Sequence, residues 1–301
     1  KAGKMTPEAK TELKLDIGKI PQILLDNTDR NRTSPFAFTG NKFEFRAVGS
    51  SANCSSAMIV LNTIVAKQLK DFKINVDTRI KSGDAKDEGI LKELQKLIKE
   101  SKKIRFEGNG YGDEWVKEAE KRGLSNLKDT PRALQVWSDK NVVKLFEEMN
   151  VLTARELEAR QEIEFENYIM KIQIEARVIR EMVQNFIVPA AVQYQNKMIK
   201  NVKGLMGILG DKEGKAASKS QLSIIIMISD HMNNITEMSN NMLVARKKAN
   251  LIEDMEAKSI AYCDKVKVHF DKIRYHVDKL ELIIDDEEWR LPKFREMLFT
   301  R

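Results

Sequence analysis

The second half of the sequence carries three long runs in which apolar residues recur at steps of three and four. The first run extends from Thr153 to about Leu209, with a capping box at Thr153 and Glu156 and a predicted bend at Pro189. The two later seams are Leu222, Ile225, Ile228, Met232, Ile235, Met238 and Met242, and then Ile260, Cys263, Val266, Phe270, Ile273, Val277, Leu280 and Ile284. This spacing predicts long helices packed as an antiparallel bundle.

The preceding residues predict shorter and more varied elements. Thr6-Pro7-Glu8 is a helix start that predicts a short helix to about Leu15. Two extended runs, 36–39 and 42–48, flank Gly40-Asn41 and predict a hairpin whose aromatic face, with Phe43 and Phe45, anchors it in the core. The helix predicted after it carries one apolar stripe of Leu61, Val65, Leu69, Phe72, Val76 and Ile80. We also expect a helix from about Ala85 to Lys102, a short strand over 103–106, a turn over 210–214 and a final helix over 289–299.

These patterns predict an α+β chain that is mostly α-helical. We place one part at residues 1–82 and a helical extension at 83–301, with short helices over 83–150 and the long-helix bundle over 151–301. Because the chain begins with Lys1 rather than Met, we expect it to be a piece of a longer protein.

Charge and composition narrow the possible partners. The net charge is +7, but 45 acidic residues are interleaved with 52 basic ones, so a mixed-charge surface is favoured over a nucleic-acid interface. No apolar run reaches the length of a membrane span. Cys54 and Cys263 lie far apart and form no disulfide framework, which indicates a reducing cytoplasm.

The hairpin carries the most informative charged residues. Side chains alternate along a strand, so Lys42, Glu44 and Arg46 share the face opposite Phe43 and Phe45. A carboxylate between two cations fits a surface ion-pair ladder, part of a nucleic-acid surface, or a nucleotide site in which Glu44 holds Mg²⁺. Spacing alone leaves these alternatives open.

Other candidate sites are better explained by structure. Gly108, Gly110 and Gly112 match no phosphate-loop spacing, and Asp113 and Glu114 at the following helix start would repel an anion. We interpret His269 and His276 as surface residues that flank the seam, and Cys263 as a small core residue. The Met-rich stripe, including Met232, Met238 and Met242, predicts bundle core, with a partner-binding groove as the alternative.

Three segments together resemble a known family. Asp29-Arg30-Asn31-Arg32-Thr33-Ser34, Lys42-Phe43-Glu44-Phe45-Arg46 and Ser51-Ala52-Asn53-Cys54 resemble the C-terminal signatures of glutamine synthetase. The sequence NRTSPFAFTGNKFEFR resembles the corresponding segment of the type III enzymes, which also carry a helical extension with a segment similar to Leu291–Arg295. The resemblance implies a fold that ends a glutamine-synthetase catalytic domain and continues into the helical extension.

The resemblance also implies an activity and its residues. The family joins ammonia to L-glutamate through γ-glutamyl phosphate, using ATP and Mg²⁺ or Mn²⁺. Arg32 would contact the transferring phosphate, Lys42 would lie near the nucleotide, Glu44 would ligate the metal and Arg46 would bind glutamate. The chain departs from the family at Ala37, where a second arginine is usual, and at Lys42, where lysine replaces arginine and loses bidentate geometry.

The family's remaining metal and substrate motifs have no counterpart here, so we expect the isolated chain to be inactive. The resemblance implies a cytoplasmic homo-oligomer, in type III enzymes a double ring. The alternatives are a related glutamate–amine ligase, a helical interaction module with a non-catalytic synthetase remnant, and a polyanion-binding bundle.

Overall fold

A computed structural model describes residues 12–13, 23–24, 36–38, 43–45, 52–106, 109–110 and 112–299. They form two compact units. The first contains the described residues up to Leu127 together with Lys140–Ala154, and the second contains Lys128–Asp139 and the described residues from Arg155 onward. Most of these residues are helical, as predicted. None of the described helices combines the length and the apolarity that a membrane crossing needs.

The strands form two short antiparallel pairs. Strand β1 (Glu12–Leu13) pairs with β2 (Ile23–Leu24), and β3 (Phe36–Phe38) pairs with β4 (Phe43–Phe45). The second pair confirms the predicted hairpin. The first contradicts the predicted helix to Leu15 at Glu12 and Leu13, because pairing with a partner strand outweighs a local helix signal.

The helices in chain order are α1 (Ser55–Lys81), α2 (Lys86–Glu100), α3 (Asp113–Lys121), α4 (Thr130–Leu134), α5 (Lys140–Glu148), α6 (Ala154–Met182), α7 (Val188–Leu209), α8 (Asp211–Ala217), α9 (Lys219–Asn250), α10 (Met255–Ala261), α11 (Val268–Ile283) and α12 (Phe294–Met297). Short 3₁₀ helices occupy Ser101–Ile104 and Gln135–Ser138, and π-helices occupy Val183–Ile187 and Tyr262–Lys267.

Three of these elements correct the sequence predictions. Residues 103 and 104, where we expected the start of a strand, belong to the 3₁₀ helix over 101–104 that extends α2, and Arg105 donates to the Ile98 carbonyl near the helix end (2.7 Å). The predicted turn at 210–214 contains the start of α8, which directly follows Gly210 with its positive φ of 80°. The predicted last helix is limited to α12, which begins two residues after Pro292.

In the first unit, α1 packs against α2 and α5 around a buried carboxylate. Glu93 on α2 is 1% exposed and accepts hydrogen bonds from Asn75 Nδ2 (2.8 Å) and Arg79 Nε (3.1 Å) on α1, while Lys96 Nζ lies 3.6 Å away. Burial alone would raise the pKa of Glu93. The hydrogen bonds and the positive charges together lower it by more than burial raises it, so the pKa lies below the ordinary value. Glu93 therefore stays ionised and joins the two helices.

The second unit has an apolar core. Helix α9 packs against α7, α11 and the second π-helix. Its fully buried seam residues are spaced by seven, at Ile228, Ile235 and Met242. Facing them are Ala190 and Ala191 on α7 and the equivalent seam of Val266, Ile273 and Leu280. The seam residues of α9 and α11 lie on the predicted stripes.

The two π-helices adjust the register of the helices that contain them. The first ends two residues before Pro189, whose ring would clash with the carbonyl four residues earlier in a regular α-helix, so a wider turn removes the conflict. In the second, Tyr262 is fully buried and Cys263 is half-buried. The prediction of Cys263 as the seam residue is therefore wrong by one position, because the wider turn shifts which side chain faces the core.

Helices α7 and α8 approach each other closely at one glycine. A Cβ atom added to Gly214 would lie 2.6 Å from the Cα of Met206, which is closer than side chains pack. By contrast, a Cβ at Gly207 on α7 would meet open space. Only the hydrogen side chain at position 214 permits this contact.

Candidate functional site

The hairpin positions the carboxylate on which the predicted site depends. In the β3–β4 register, Glu44 is paired with Ala37, while Phe36 is paired with Phe45 and Phe38 with Phe43. Paired residues of an antiparallel ladder share a face, so the register separates Glu44 from the aromatic positions, as the alternation predicted. The Glu44 side chain is half-buried.

Three of the four predicted site residues fall outside the described part of the chain. These are Arg32, Lys42 and Arg46, and the roles predicted for them stay predictions. The structure describes Glu44 alone among the four.

The aromatic face of the hairpin is less buried than we expected. Phe45 is 36% exposed and Phe36 is half-buried, whereas the sequence predicted that Phe45 would anchor the strand in a core. Strands of three residues cover little surface by themselves, and they need a further element to bury both edges of an aromatic ring.

The signature after the hairpin begins a long helix. The Asn53 side chain accepts a hydrogen bond from the Ser55 backbone N–H (2.9 Å), where α1 begins, and Cys54 is exposed. Of the stripe predicted on α1, Val76 is buried, but Leu69 is 63% exposed and Ile80 is 38% exposed. Part of the apolar face of α1 is therefore not covered by the described residues.

The glycine-rich segment leads into α3. Gly112 directly precedes the helix, and Asp113 and Glu114 occupy its first turn, where carboxylates favour the helix dipole. Gly108 and Tyr111 lie outside the described residues.

A pair of histidines that the sequence did not predict lies between α9 and α11. His231 Nδ1 and His276 Nδ1 are 2.9 Å apart, a distance at which one ring donates to the other. Burial lowers the pKa of His231 below its ordinary value, and the charge of His276 lowers it further. His276 and His269 are both half-buried, so they are less exposed than the predicted surface positions. Only the pairing of α9 with α11, which sequence spacing does not specify, brings His231 to His276.

The described residues do not form a metal centre by themselves. This part of the chain contains no group of three or more His, Cys, Asp or Glu side chains placed to hold a metal ion. A site that involves Glu44 therefore needs ligands from outside the described residues, or from the phosphates of a nucleotide.

An arginine fork joins α4 to the second π-helix. Arg132 donates to Asp129 (2.8 Å) and through two nitrogens to Asp264 (2.8 and 3.2 Å). The hydrogen bond from Arg132 holds the pKa of the Asp264 carboxyl below its ordinary value. Asp129 also caps α4 by accepting from the Arg132 backbone N–H (3.0 Å).

The segment Leu291–Arg295, which carries part of the predicted resemblance, folds back onto the end of α11. Lys293 Nζ donates to the Ile284 carbonyl (2.7 Å) and pairs with Asp286 (2.7 Å), and Arg295 pairs with the same carboxylate. Phe294 N–H donates to Glu281 (2.8 Å). The residues of this signature therefore fix the path of the chain after α11.

Comparison with known proteins identifies the relationship. Residues 89–206 match the family model described as the glutamine synthetase C-terminal domain. A protein named glutamine synthetase from Bacteroides fragilis is 48% identical over 298 residues, which cover 99% of this chain and 41% of that protein. The chain belongs to the glutamine synthetase family. The resemblance to the C-terminal part of a type III glutamine synthetase, which the sequence motifs indicated, is thereby confirmed.

Two further relatives agree with this membership. The type-3 glutamine synthetase of Dictyostelium discoideum is 36% identical over 290 residues, covering 95% of this chain and 39% of the relative. A glutamine synthetase from Butyrivibrio fibrisolvens is 38% identical over 177 residues, covering 59% of this chain and 25% of the relative. The chain thus spans less than half the length of the curated relatives it matches.

Proposed function

We propose that this chain forms part of a longer type III glutamine synthetase that joins ammonia to L-glutamate at the expense of ATP, through γ-glutamyl phosphate. The observation that carries the proposal is the 48% identity to a glutamine synthetase along nearly the whole chain. Because the chain corresponds to only part of such proteins, we propose that it contributes one wall of the active site and is inactive alone.

The proposed site residues follow from the chemistry of phosphoryl transfer, which needs cations near the phosphate oxygens and a metal ion between them. Arg32 would contact the transferring phosphate, Lys42 the nucleotide and Arg46 the carboxylate of glutamate. Glu44 would hold Mg²⁺ or Mn²⁺, which when bound neutralises charge on the ATP phosphates. A half-buried carboxylate fits this role, since Mg²⁺ in such sites takes only one or two protein carboxylates together with phosphate oxygens.

The helical residues have a different proposed role. We assign residues 1–82 to the catalytic domain and 83–301 to a bundle-like extension that assists assembly or regulation. The proposed assembly is a cytoplasmic homo-oligomer in a double ring, with glutamate and ammonia as substrates in nitrogen assimilation.

The test is Mg-ATP-dependent formation of γ-glutamyl hydroxamate from glutamate and hydroxylamine by the longer protein that contains this chain. We expect Glu44→Gln to reduce the rate by about 100-fold or more, because a lost metal ligand leaves phosphate charge uncompensated. Glu114→Gln, an exposed change at the start of α3, is the matched control and should retain the rate.

Each other outcome has a definite meaning. Full activity of Glu44→Gln would remove the metal role of Glu44 and leave the family assignment standing. No product from the unaltered longer protein would overturn the proposed reaction and favour an amine ligase with another substrate or a helical interaction module. Turnover by the 301-residue chain alone would contradict its proposed inactivity.

A further inference from the structure

Arg177, Arg180 and Arg246, like several other arginines of the second unit, form no ion pair with a carboxylate among the described residues. Arg177 and Arg180 lie one turn apart on α6, and Arg246 lies on α9. Arg132, in the same unit, instead forms ion pairs with two aspartates. We call Arg177, Arg180 and Arg246 the arginine cluster.

Arg246 is the most informative member of the cluster. Its side chain is half-buried, and its Nη1 is shielded from solvent with no hydrogen-bond acceptor among the described residues. A buried donor of a charged group that lacks an acceptor costs more than an ordinary lost hydrogen bond. Such donors are rare in folded proteins, and an ion or a water molecule commonly binds where they occur.

Arg177, on α6, and Arg246, on α9, act electrostatically on the same tyrosine. Tyr262, on the second π-helix, is fully buried, and its hydroxyl donates to Asn250 Oδ1 (2.5 Å), one turn along α9 from Arg246. Burial raises the pKa of Tyr262, and the positive charges of Arg246 and Arg177 both act against that rise. The two guanidinium groups therefore both lie within electrostatic reach of one hydroxyl, although like charges repel each other there.

Arg180 connects α6 to α9 by hydrogen bonds. Its Nη1 donates to Asn240 Oδ1 (3.0 Å) and to the hydroxyl and carbonyl oxygens of Ser239 (both 3.4 Å). All three acceptors are uncharged, so the Arg180 charge is held in place but not neutralised. This contact holds α6 beside α9, one turn along α6 from Arg177.

We propose that Arg246 and Arg177, supported by Arg180, form a binding site for a small oxyanion, a phosphate or a carboxylate, between α6 and α9. Guanidinium groups offer paired N–H donors that match two oxygens of either group. An oxyanion would accept from the buried Arg246 Nη1 and balance the repulsion between the two arginines. Arg177, which is exposed, would form the solvent side of the site.

This proposal does not depend on the reaction proposed above, because binding can be measured without turnover. The experiment is calorimetric titration of the 301-residue chain with inorganic phosphate and, separately, with acetate, at ionic strength held constant with potassium chloride. We expect saturable binding of at least one anion. The stronger of the two identifies phosphate or carboxylate as the preferred ligand chemistry.

The variants locate the site. Arg246→Gln should weaken binding by about tenfold or more, because it removes the charge-assisted donor. Arg177→Gln serves as a second variant at an exposed position, should Arg246→Gln fail to fold by circular dichroism. Arg160→Gln removes the same charge from α6 at an exposed position about 25 Å along the helix, and its affinity should be unchanged.

The following results would overturn the proposal. Titrations that show no saturable binding of either anion would indicate that water satisfies Arg246. Equal weakening in Arg160→Gln and the cluster variants would indicate a general charge effect. Strong binding that survives both Arg246→Gln and Arg177→Gln would place the anion elsewhere in the chain.

Discussion

The two units are stabilised by different interactions. Among the described residues of the first unit, the large buried apolar side chains are Val76 and Phe146, and a buried carboxylate, Glu93, joins α1 to α2. The second unit buries a continuous apolar core contributed by α6, α7, α9 and α11. The first unit therefore depends on charge and hydrogen-bond geometry, and the second depends on shape and volume. Perturbations of each kind should act on one unit and spare the other.

The largest expected effect concerns the apolar core. Leu280→Ala should lower the free energy of unfolding of the second unit by about 3 kcal/mol, because it leaves a cavity at a fully buried position. Leu282→Ala, on the same helix at a side chain that is 80% exposed, is the matched control and should change stability little. Hydrogen exchange with peptide-level readout assigns the loss to a unit. Similar losses for both variants would contradict the assigned core.

The second effect concerns the buried carboxylate. Glu93→Gln should lower the stability of the first unit by about 2 kcal/mol, because Arg79 and Lys96 lose their shared anion. Glu88→Gln, which alters an exposed ion pair with Lys92 on the same helix, should cost about 0.5 kcal/mol or less.

The pH dependence of this effect has a defined sign. The folded-state pKa of Glu93 is lowered, so its stabilising contribution is present above the ordinary carboxylate pKa and is lost as pH falls below it. Acid titration followed by hydrogen exchange should show this loss in α1 and α2 of the unaltered chain. An equally steep acid loss in Glu93→Gln would show that other carboxylates cause it.

The third effect concerns the close contact of α7 with α8. Gly214→Ala should destabilise the second unit by about 1–3 kcal/mol, because the new methyl group meets the Met206 backbone. Gly207→Ala, in an open part of α7, should instead stabilise it by about 0.5–1 kcal/mol through higher helix propensity. Thermal unfolding of the two variants should therefore shift in opposite directions. Shifts of the same sign would contradict the close approach of Gly214 to Met206.

The smallest effect concerns the histidine pair. Burial and His276 lower the folded-state pKa of His231, and of its other charged neighbours Lys279 lowers it and Asp230 raises it. The unfolded chain therefore binds a proton that the folded chain resists, so the second unit should lose stability as pH falls below about 6.5. Denaturant titrations between about pH 7.5 and 5.5 should show a shallower loss in His231→Asn. An unchanged slope would exclude His231 as a contributor.

The difference between the units also explains which features could be predicted from sequence. Periodicity predicted the buried seams of α9 and α11, because a regular helix repeats its core face about every seven residues. It failed at Cys263, where the π-helix changes the repeat and buries Tyr262 instead. Periodicity also predicted that Leu69 on α1 would be buried, but this side chain is exposed. An apolar pattern specifies which face of a helix is hydrophobic, but it does not specify which residues pack against that face.

Polar contacts between distant residues were harder to predict. His231 with His276, Arg132 with Asp264 and Arg180 with Ser239 each join residues more than forty positions apart. No local spacing encodes such pairs, because they depend on which helices become neighbours. The strand face on which Glu44 lies was predictable, because the alternation of side chains along a strand is a local property. Its register opposite Ala37 agrees with the predicted hairpin.

The path of the chain between the two units has a practical consequence for dissecting the protein. Residues Lys128–Asp139 belong to the second unit, but Lys140–Ala154 belong to the first, so no single cut separates the two intact. A fragment that starts at Arg155 would lack the partners of Asp264, Glu256 and Gln161, namely Arg132, Gln135 and the Leu134 carbonyl. The shortest fragment that contains all of the second unit therefore begins at Lys128. Such a fragment also includes α5, which belongs to the first unit, unless a short artificial linker replaces residues 140–154.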